Sequence, residues 1–257
     1  MSSRPSYQLT SSPVGSLAEV WSISWPLMLG LCSSSLMMFA DRLYLAHYTV
    51  TAMNAMAMGG MFAFLLFILP FGICQITEVF VGRFHGQENH AEAGRPVWQA
   101  FWISLVLAPC MSIVARILAA LLFSQGAQET DYFVTLIDFS PFLLGSISLM
   151  GFFIGIGKTK VITYATIFAN LVNITLAPIL IFGTSISPEM GVKGAAIAAG
   201  IAQAVQALFL LVLYLRKPLR EKFQTHHWRL KTSLVKEMLS LALPSCFGRL
   251  IEVRASL

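Results

Sequence analysis

The chain has 257 residues, of which 56% are hydrophobic and only 11% are charged. Charged residues usually make up about a quarter of a soluble globular domain, so this composition excludes an ordinary soluble protein and favours a membrane protein. The formal net charge is +5, but seven of the seventeen lysines and arginines lie together in 216–236. We interpret this basic block as a topology signal and predict no nucleic-acid partner.

Six long apolar runs follow a polar, serine-rich N-terminus that lacks the features of a removable signal peptide. At about 1.5 Å per residue, each run is long enough to cross roughly 30 Å of hydrocarbon as a helix. The predicted spans are 20–47, 54–82, 97–123, 134–157, 161–183 and 192–215. The predicted fold class is therefore an all-α integral membrane protein with a six-helix transmembrane bundle and the start of a seventh helix.

Composition divides the chain into four predicted segments. They are a polar cytoplasmic N-terminus (1–19), a six-helix membrane lobe (20–215), a basic cytoplasmic connector (216–234) and a truncated seventh helix (235–257). Prolines lie inside several spans, and we expect them to kink these helices, with Pro26 as the kink in the first and Pro141 in the fourth. The seventh helix contains several charges, so we expect it to need a partner, which is a missing second lobe, the bundle itself or a second copy of the chain.

Basic residues in the predicted loops indicate the orientation. If the N-terminus is cytoplasmic, twelve lysines and arginines lie inside and only Arg42 and Lys193 lie outside. Cytoplasmic loops of membrane proteins carry an excess of lysine and arginine. We therefore predict a multi-pass protein of the cytoplasmic (inner) membrane with its N-terminus in the cytoplasm.

Asp41 is the first candidate for chemistry. A carboxylate near the outer end of an otherwise apolar helix is costly to insert and usually faces a cavity or an ion pathway. The alternative is a salt bridge with the neighbouring Arg42, although adjacent residues point to different sides of a helix. We predict that Asp41 takes part in cation coupling.

The predicted fifth helix carries polar residues at intervals of three, four and three, which places them on one face. These residues are Thr163, Thr166, Asn170 and Asn173. They either line a cavity that contacts substrate or form hydrogen bonds between helices, and spacing alone does not separate the two interpretations.

Glu252 is the second candidate acid. It lies roughly 17 residues after the cytoplasmic start of the seventh helix, and Asp41 lies roughly 20 after that of the first, so both reach a similar depth. Two acids at one level in adjacent helices could exchange a proton or hold Na⁺. The alternative is an ion pair between Glu252 and Arg249.

Methionines are frequent in the first two spans, and Met38 is one of them. Flexible thioethers suit a pocket that accepts varied apolar cations, so Met38 is a candidate cavity-lining residue. The alternative is that these methionines only fill space in packing or contact lipid.

Motifs of catalysis are missing from the sequence. Gly157-Lys158-Thr159 resembles the end of a phosphate-binding loop, but the glycine required five residues earlier is Phe152. There is also no HExxH motif and no Ser-His-Asp arrangement. We predict that the protein is not an enzyme.

Several stretches together resemble the multidrug and toxic compound extrusion (MATE) family of cation-coupled antiporters. Their order and spacing carry the resemblance more than any single piece, and the interval from Pro244 to Glu252 matches the NorM-like branch. The stretches are Trp25-Pro26 followed by Asp41, VGRFHG at 81–86, GIGKTK at 155–160, NITLAPILIFG at 173–183 and GVKGAAIAAG at 191–200.

The resemblance implies twelve helices in two six-helix bundles around a central cavity, of which this chain holds the first bundle and the start of the second. Asp41 would be the acid of the amino-terminal lobe, Asn173 its neighbour and Glu252 the acid of the other lobe. The implied function is export of organic, chiefly cationic, drugs or toxic compounds, coupled to H⁺ or Na⁺. No other cofactor or metal is expected, and the partners are small organic cations and the lipid bilayer.

Two positions depart from the family pattern, because Ala177 stands where many members have an acid and Ala199 where many have threonine. With a single carboxylate, Asp41 fits a proton carrier better than a Na⁺ cage, although Na⁺ at Asp41 or Glu252 stays open. Two other functions also stay open. One is a lipid-linked saccharide flippase, which would need several cationic residues where only Arg116 lies deep, and the other is a truncated membrane subunit that does not transport.

Overall fold

The computed structural model describes residues 16–123, 127–184 and 188–255, except for the side chains of residues 19, 22, 23 and 245–255. These ranges form helices joined by short turns, as the long apolar runs predict. In chain order the helices are α1 (Leu17–Tyr48), α2 (Val50–Gly86), α3 (His90–Ala93), α4 (Arg95–Leu122), α5 (Gln128–Asp138), α6 (Ser140–Gly155), α7 (Thr159–Phe182), α8 (Gly191–Tyr214), α9 (Lys217–Phe223) and α10 (Thr232–Ala255).

Four helical stretches of the described residues are long and apolar enough to cross a membrane: α2, α3 together with α4, α7 and α8. The bent pair of α5 and α6 makes a fifth if it is counted as one span. The helical membrane bundle is therefore confirmed, and the count of six spans is corrected. The first predicted span corresponds to α1, a helix of 32 residues that includes three consecutive serines, Asp41 and Arg42.

The predicted fourth span, 134–157, is broken into two helices. α5 ends at Asp138 and α6 begins at Ser140, with a bend of 47° between them. Pro141 lies in the first turn of α6, where its missing N–H leaves no helical hydrogen bond unmade. The ring of Phe139 packs against Gly200 of α8, where any Cβ would overlap it. The break thus combines a proline with a contact to another helix.

Within the bundle, α7 packs against α1 and α8, while α2 packs against α5 and α6. Two close approaches depend on glycine. A Cβ on Gly155 of α6 would lie 2.8 Å from the side chain of Val81 on α2, and a Cβ on Gly194 of α8 would overlap the Leu180 carbonyl of α7. Stretches that carry the family resemblance therefore meet in space, 81–86 with 155–160 and 173–183 with 191–200.

The connector contains the short helix α9 and then returns to pack on the start of α4. The indole Nε1 of Trp98 donates a hydrogen bond to the Thr225 carbonyl at 2.6 Å. The amide of Gln99 donates to the Arg229 carbonyl at 3.1 Å and accepts from the Lys231 N–H at 2.9 Å. These side chains of α4 supply hydrogen-bond partners for backbone groups of the connector. The connector is therefore held against the bundle as part of the fold.

Tyr214, at the end of α8, completes this contact. It is fully buried, and its hydroxyl donates to the Gly94 carbonyl at 2.6 Å. A Cβ on Gly94 would lie only 2.6 Å from the Phe223 carbonyl, so a larger residue would push the connector away. We refer to the whole contact as the connector dock. It comprises Gly94, Trp98, Gln99 and Tyr214 of the bundle with Phe223, Thr225, Arg229 and Lys231 of the connector.

The last helix, α10, begins at Thr232, three residues before the predicted start of the seventh helix. It packs against α2, where Met238 is fully buried in a cluster with Phe80. Arg83 and Glu237 form an exposed ion pair of 2.9 Å between the two helices. The predicted division of the chain at 19, 215 and 234 stays a prediction.

Candidate functional site

A run of buried polar side chains lies between α1 and α7. The Thr163 hydroxyl donates to the Pro26 carbonyl at 2.7 Å, and the Asn170 amide donates to the Ser33 hydroxyl at 2.9 Å. These contacts advance in the same direction along both helices, so α1 and α7 run parallel. We refer to this contact as the polar seam. It comprises Pro26, Ser33, Ser34 and Asp41 of α1 with Thr163, Asn170 and Asn173 of α7.

One end of the polar seam is closed by hydrogen bonds. Pro26 is buried, and its carbonyl accepts the hydrogen bond from the Thr163 hydroxyl. Asn170 reaches a second serine, Ser34, at 3.3 Å. These contacts hold the two helices together along three turns. The predicted kink at Pro26 stays a prediction.

The other end of the polar seam holds polar groups without partners. The Asp41 side chain is 5% exposed, and its Oδ1 has no hydrogen-bond partner. The fully buried amide of Asn173 lies close to this carboxylate. Neither of its polar atoms forms a hydrogen bond of good geometry. Buried polar atoms are paired in most proteins, so two unpaired groups side by side point to a site for a ligand.

No residue of the described ranges forms an ion pair with Asp41, and Arg42 points elsewhere with its side chain exposed. The alternative of an Asp41–Arg42 salt bridge is therefore not what the structure shows. The phenol of Tyr132 on α5 lies within electrostatic range of Asp41. The carboxylate thus has an amide beside it and a phenol within electrostatic range, and no counter-charge among the described residues.

The position one turn beyond Asn173 is apolar. Ala177 is fully buried and packs in a cluster that includes Leu45 of α1. Within the described residues there is also no group of three or more His, Cys, Asp or Glu side chains that could hold a metal ion. The site around Asp41 therefore offers one carboxylate, one amide and a phenol, which suits a proton or a weakly held monovalent cation better than a divalent metal.

The predicted polar stripe of α7 is divided between two neighbouring helices. Thr163, Asn170 and Asn173 face α1, whereas Thr166 accepts a hydrogen bond from Gln206 of α8 at 2.9 Å. Three of the four residues therefore form hydrogen bonds between helices, the alternative that spacing alone left open. Asn173 is the member of the stripe whose side chain stays unpaired.

Two other predicted site residues are not brought to Asp41 by any described contact. Met38 lies on α1 with 49% of its surface exposed, and its role in lining a cavity stays a prediction. Position 252 lies within α10, but the Glu252 side chain is outside the described residues. The proposed pairing of two acids at one depth is therefore untested.

Sequence reasoning missed four residues that bond to the predicted site residues or lie near them. Ser33 and Ser34 bind Asn170, and they belong to a run of three serines in an otherwise apolar helix, a signal that could have been used. Gln206 is a polar residue inside an apolar span, which is a similar signal. Tyr132 gave none, because an aromatic residue near a helix end is ordinary in a membrane protein.

Comparison with known proteins agrees with this arrangement. The MatE family model matches residues 26–179, a stretch that contains the whole polar seam. The chain belongs to the MATE family. It is accordingly a multi-pass membrane protein of a transporter family, with apolar helices of spanning length.

Curated relatives of the chain include multidrug resistance proteins of this family. A probable multidrug resistance protein NorM of Agrobacterium fabrum is 28% identical over 83% of this chain and 48% of its own length. A second NorM, from Photorhabdus laumondii, is 23% identical over 92% of this chain and 54% of its length. The chain thus spans about half the length of the curated relatives it matches.

The fold is shared with solved transporters. A transporter of the MOP superfamily from Pyrococcus furiosus superposes with a TM-score of 0.76 at 21% identity, covering 89% of this chain and 51% of that one. A multidrug resistance MATE family transporter in an outward-facing conformation gives the same TM-score and coverage. At this identity the likeness establishes the fold of one lobe.

Proposed function

We propose that this chain forms one lobe of an antiporter that exports small organic cations across the cytoplasmic membrane in exchange for H⁺ or Na⁺. The observation that carries the proposal is the buried Asp41 carboxylate, which has an unpaired oxygen, no ion-pair partner among the described residues and an unpaired Asn173 amide beside it. An ionised carboxylate in a membrane helix usually serves an ion or proton pathway. The N-terminus would be cytoplasmic.

In this proposal the coupling ion and the organic cation are exchanged because they compete for the charge of one carboxylate. A buried carboxylate is stabilised by a proton, by a metal cation or by an organic cation, and it accommodates only one of these at a time. A cation that binds on the outer side therefore weakens the binding of the organic cation, and the reverse holds on the inner side, because such coupling is reciprocal. Asp41 would carry this competition in the present lobe, and Glu252 in the region of α10.

Among the coupling ions, H⁺ fits the site better. Na⁺ favours several oxygen ligands, and Ala177 leaves the neighbourhood of Asp41 with one carboxylate. A proton needs one oxygen and a neutral surrounding, which the Asn173 amide and the Tyr132 phenol supply. Asn173 would then act as the group that orients Asp41, because its amide can donate to the charged form and accept from the protonated form.

The flippase alternative receives less support. Its diphosphate substrate would need free cationic groups deep in the lobe, and Arg116 is the residue of that kind in the predicted spans. The guanidinium of Arg116 forms two hydrogen bonds with the Asp138 carboxylate, at 3.0 and 2.9 Å. Its charge is therefore already engaged within the lobe.

The test is efflux of a fluorescent organic cation from right-side-out membrane vesicles that contain this chain, driven by a proton gradient and, separately, by a Na⁺ gradient. Asp41→Asn should lower the driven efflux by about five- to 150-fold, the range of typical coupling energies. Asp131→Asn, which changes an exposed carboxylate on α5, is the matched control and should transport as the parent does.

Three results would contradict the proposal. Unchanged efflux in Asp41→Asn would remove the carboxylate from coupling. Binding of the organic cation without flux in the parent would favour the subunit that does not transport. Flux of a lipid-linked saccharide in place of the organic cation would favour the flippase.

A further inference from the structure

A separate apolar groove lies near the connector, between α4, α10 and the segment that joins α9 to α10. Its volume is about 640 Å³, and its walls are almost entirely hydrocarbon and indole. The residues that line the groove include Trp102, Val106, Trp228, Leu230, Val235 and Leu239. No residue of the polar seam contributes to this groove, so it is independent of the site around Asp41.

Two tryptophans mark the depth of the groove in the membrane. The Trp102 indole donates to the Trp228 carbonyl at 2.9 Å, and the two rings lie 6.2 Å apart. Tryptophan concentrates where hydrocarbon meets the polar head groups, because its ring is apolar and its N–H is a donor. The polar end of the groove therefore lies at head-group level and its apolar walls extend into the hydrocarbon.

Two basic residues are the chain neighbours of groove-lining positions. Arg229 lies between Trp228 and Leu230 in the chain, and Lys236 follows Val235, so both basic residues adjoin groove-lining positions. Both side chains are exposed, and neither forms an ion pair within the described part of the chain. α10 begins at Thr232, between them, and the free N–H groups of its first turn add partial positive charge.

We propose that this groove binds an anionic phospholipid, with one acyl chain between α4 and α10 and the phosphate held by Arg229 and Lys236. The apolar walls alone would accept any acyl chain, and the charge at the polar end selects an anionic head group. An organic cation is disfavoured by the same charge, and a nucleic acid has no part that the apolar walls could bury. The lipid would join the lobe, the connector and α10 in one contact.

The experiment uses tryptophan quenching by brominated acyl chains. The purified chain is reconstituted in bilayers that contain brominated phosphatidylglycerol or brominated phosphatidylcholine at equal mole fraction, and the fluorescence of Trp228 is obtained as the difference between the parent and Trp228→Phe. We expect Trp228 to be quenched preferentially by the anionic lipid, with a relative binding constant raised about fivefold for each basic side chain engaged.

The charge requirement is tested with two double variants of the same connector region. Arg229→Gln with Lys236→Gln should bring the preference close to onefold. Arg216→Gln with Lys217→Gln removes the same charge from positions that do not adjoin a groove-lining residue in the chain, and it should keep the preference. Val106→Phe narrows the groove without adding a tryptophan, and it should reduce quenching by both brominated lipids.

Equal quenching of Trp228 by the two lipids would overturn the proposal and leave a groove that takes apolar molecules without regard to charge. An equal loss of preference in both double variants would also overturn it, because diffuse surface charge would then explain the selectivity. Since the readout does not involve transport, these results are independent of the outcome for Asp41.

Discussion

The polar seam and the connector dock each contain a fully buried amide, and the two amides differ in what they bind. Gln99 in the connector dock uses both its nitrogen and its oxygen on the connector backbone. Asn173 in the polar seam uses neither atom. The fold therefore provides hydrogen-bond partners for the side-chain amide in the connector dock and provides none for the one in the polar seam.

An unpaired buried amide costs about 1–3 kcal/mol, so a fold that keeps one must gain elsewhere or through a ligand. The connector dock joins its polar groups by hydrogen bonds, and this suits a structural contact. The polar seam is satisfied only where Thr163 and Asn170 bond to α1, and its open end holds Asp41. The difference indicates that the dock gives rigidity and that the open end of the seam is built to accept a partner.

The largest expected effect on folding concerns the connector dock. Gly94→Ala places a Cβ 2.6 Å from the Phe223 carbonyl, so the connector must shift, and we expect a loss of about 2 kcal/mol in the free energy of unfolding. The measurement is unfolding of the reconstituted chain by SDS. Gly86→Ala is the control, since a Cβ at Gly86 meets nothing within 4 Å and should not destabilise the protein. Equal stability of the two variants would mean that the connector is loosely held.

Hydroxyl removal compares the connector dock with another contact between α1 and α7. Tyr214→Phe deletes the 2.6 Å hydrogen bond to the buried Gly94 carbonyl, and we expect it to cost about 1.5 kcal/mol. Tyr44→Phe on α1 deletes a longer bond of 3.4 Å to the Ile174 carbonyl and should cost clearly less. Both values come from the same SDS unfolding assay. A larger loss for Tyr44→Phe would reverse the assignment of rigidity to the dock.

Two asparagines of α7 separate structural from functional roles. Asn170→Leu removes the bonds to Ser33 and Ser34, and we expect a loss of about 1 kcal/mol in stability. Asn173→Leu removes an amide that has no partner, so stability should be unchanged or slightly higher while cation-driven efflux falls. The measurement pairs unfolding with vesicle efflux. Destabilisation by Asn173→Leu would show that its amide is satisfied in the membrane after all.

The smallest effect is expected at the α2–α10 ion pair. Arg83 and Glu237 are 2.9 Å apart, but their side chains are 53% and 46% exposed. Exposed pairs contribute about 0–1 kcal/mol, so Arg83→Gln should lower the stability by less than about 1 kcal/mol, and high salt should abolish the difference. A double-mutant cycle with Glu237→Gln measures the pair. A coupling energy well above this range would make α10 a stronger part of the lobe than the dock.

Much of the fold followed from simple patterns. The long apolar runs predicted the helices, and the basic block in 216–236 predicted a polar connector. The break at Phe139 was predicted only as a kink, because it depends on Gly200 of another helix as well as on Pro141.

Local sequence patterns also predicted part of the candidate site. Asp41 stands out because a carboxylate in an apolar helix is expensive, and Asn173 stands out by its spacing along α7. Spacing could not say which members of the stripe were already paired, because the partners Ser33 and Gln206 lie 137 and 40 residues away in the chain.

By itself, the sequence determined that this chain is a helical membrane protein with a costly acid in its first helix, because hydropathy and charge are local properties. Tertiary structure decided which polar groups are satisfied. A hydrogen bond requires two groups at a set distance, and that distance between α1 and α7, or between α4 and the connector, exists only after the helices have packed. The sequence identifies Asp41 as an unusual residue, and the structure adds that one of its carboxylate oxygens has no hydrogen-bond partner.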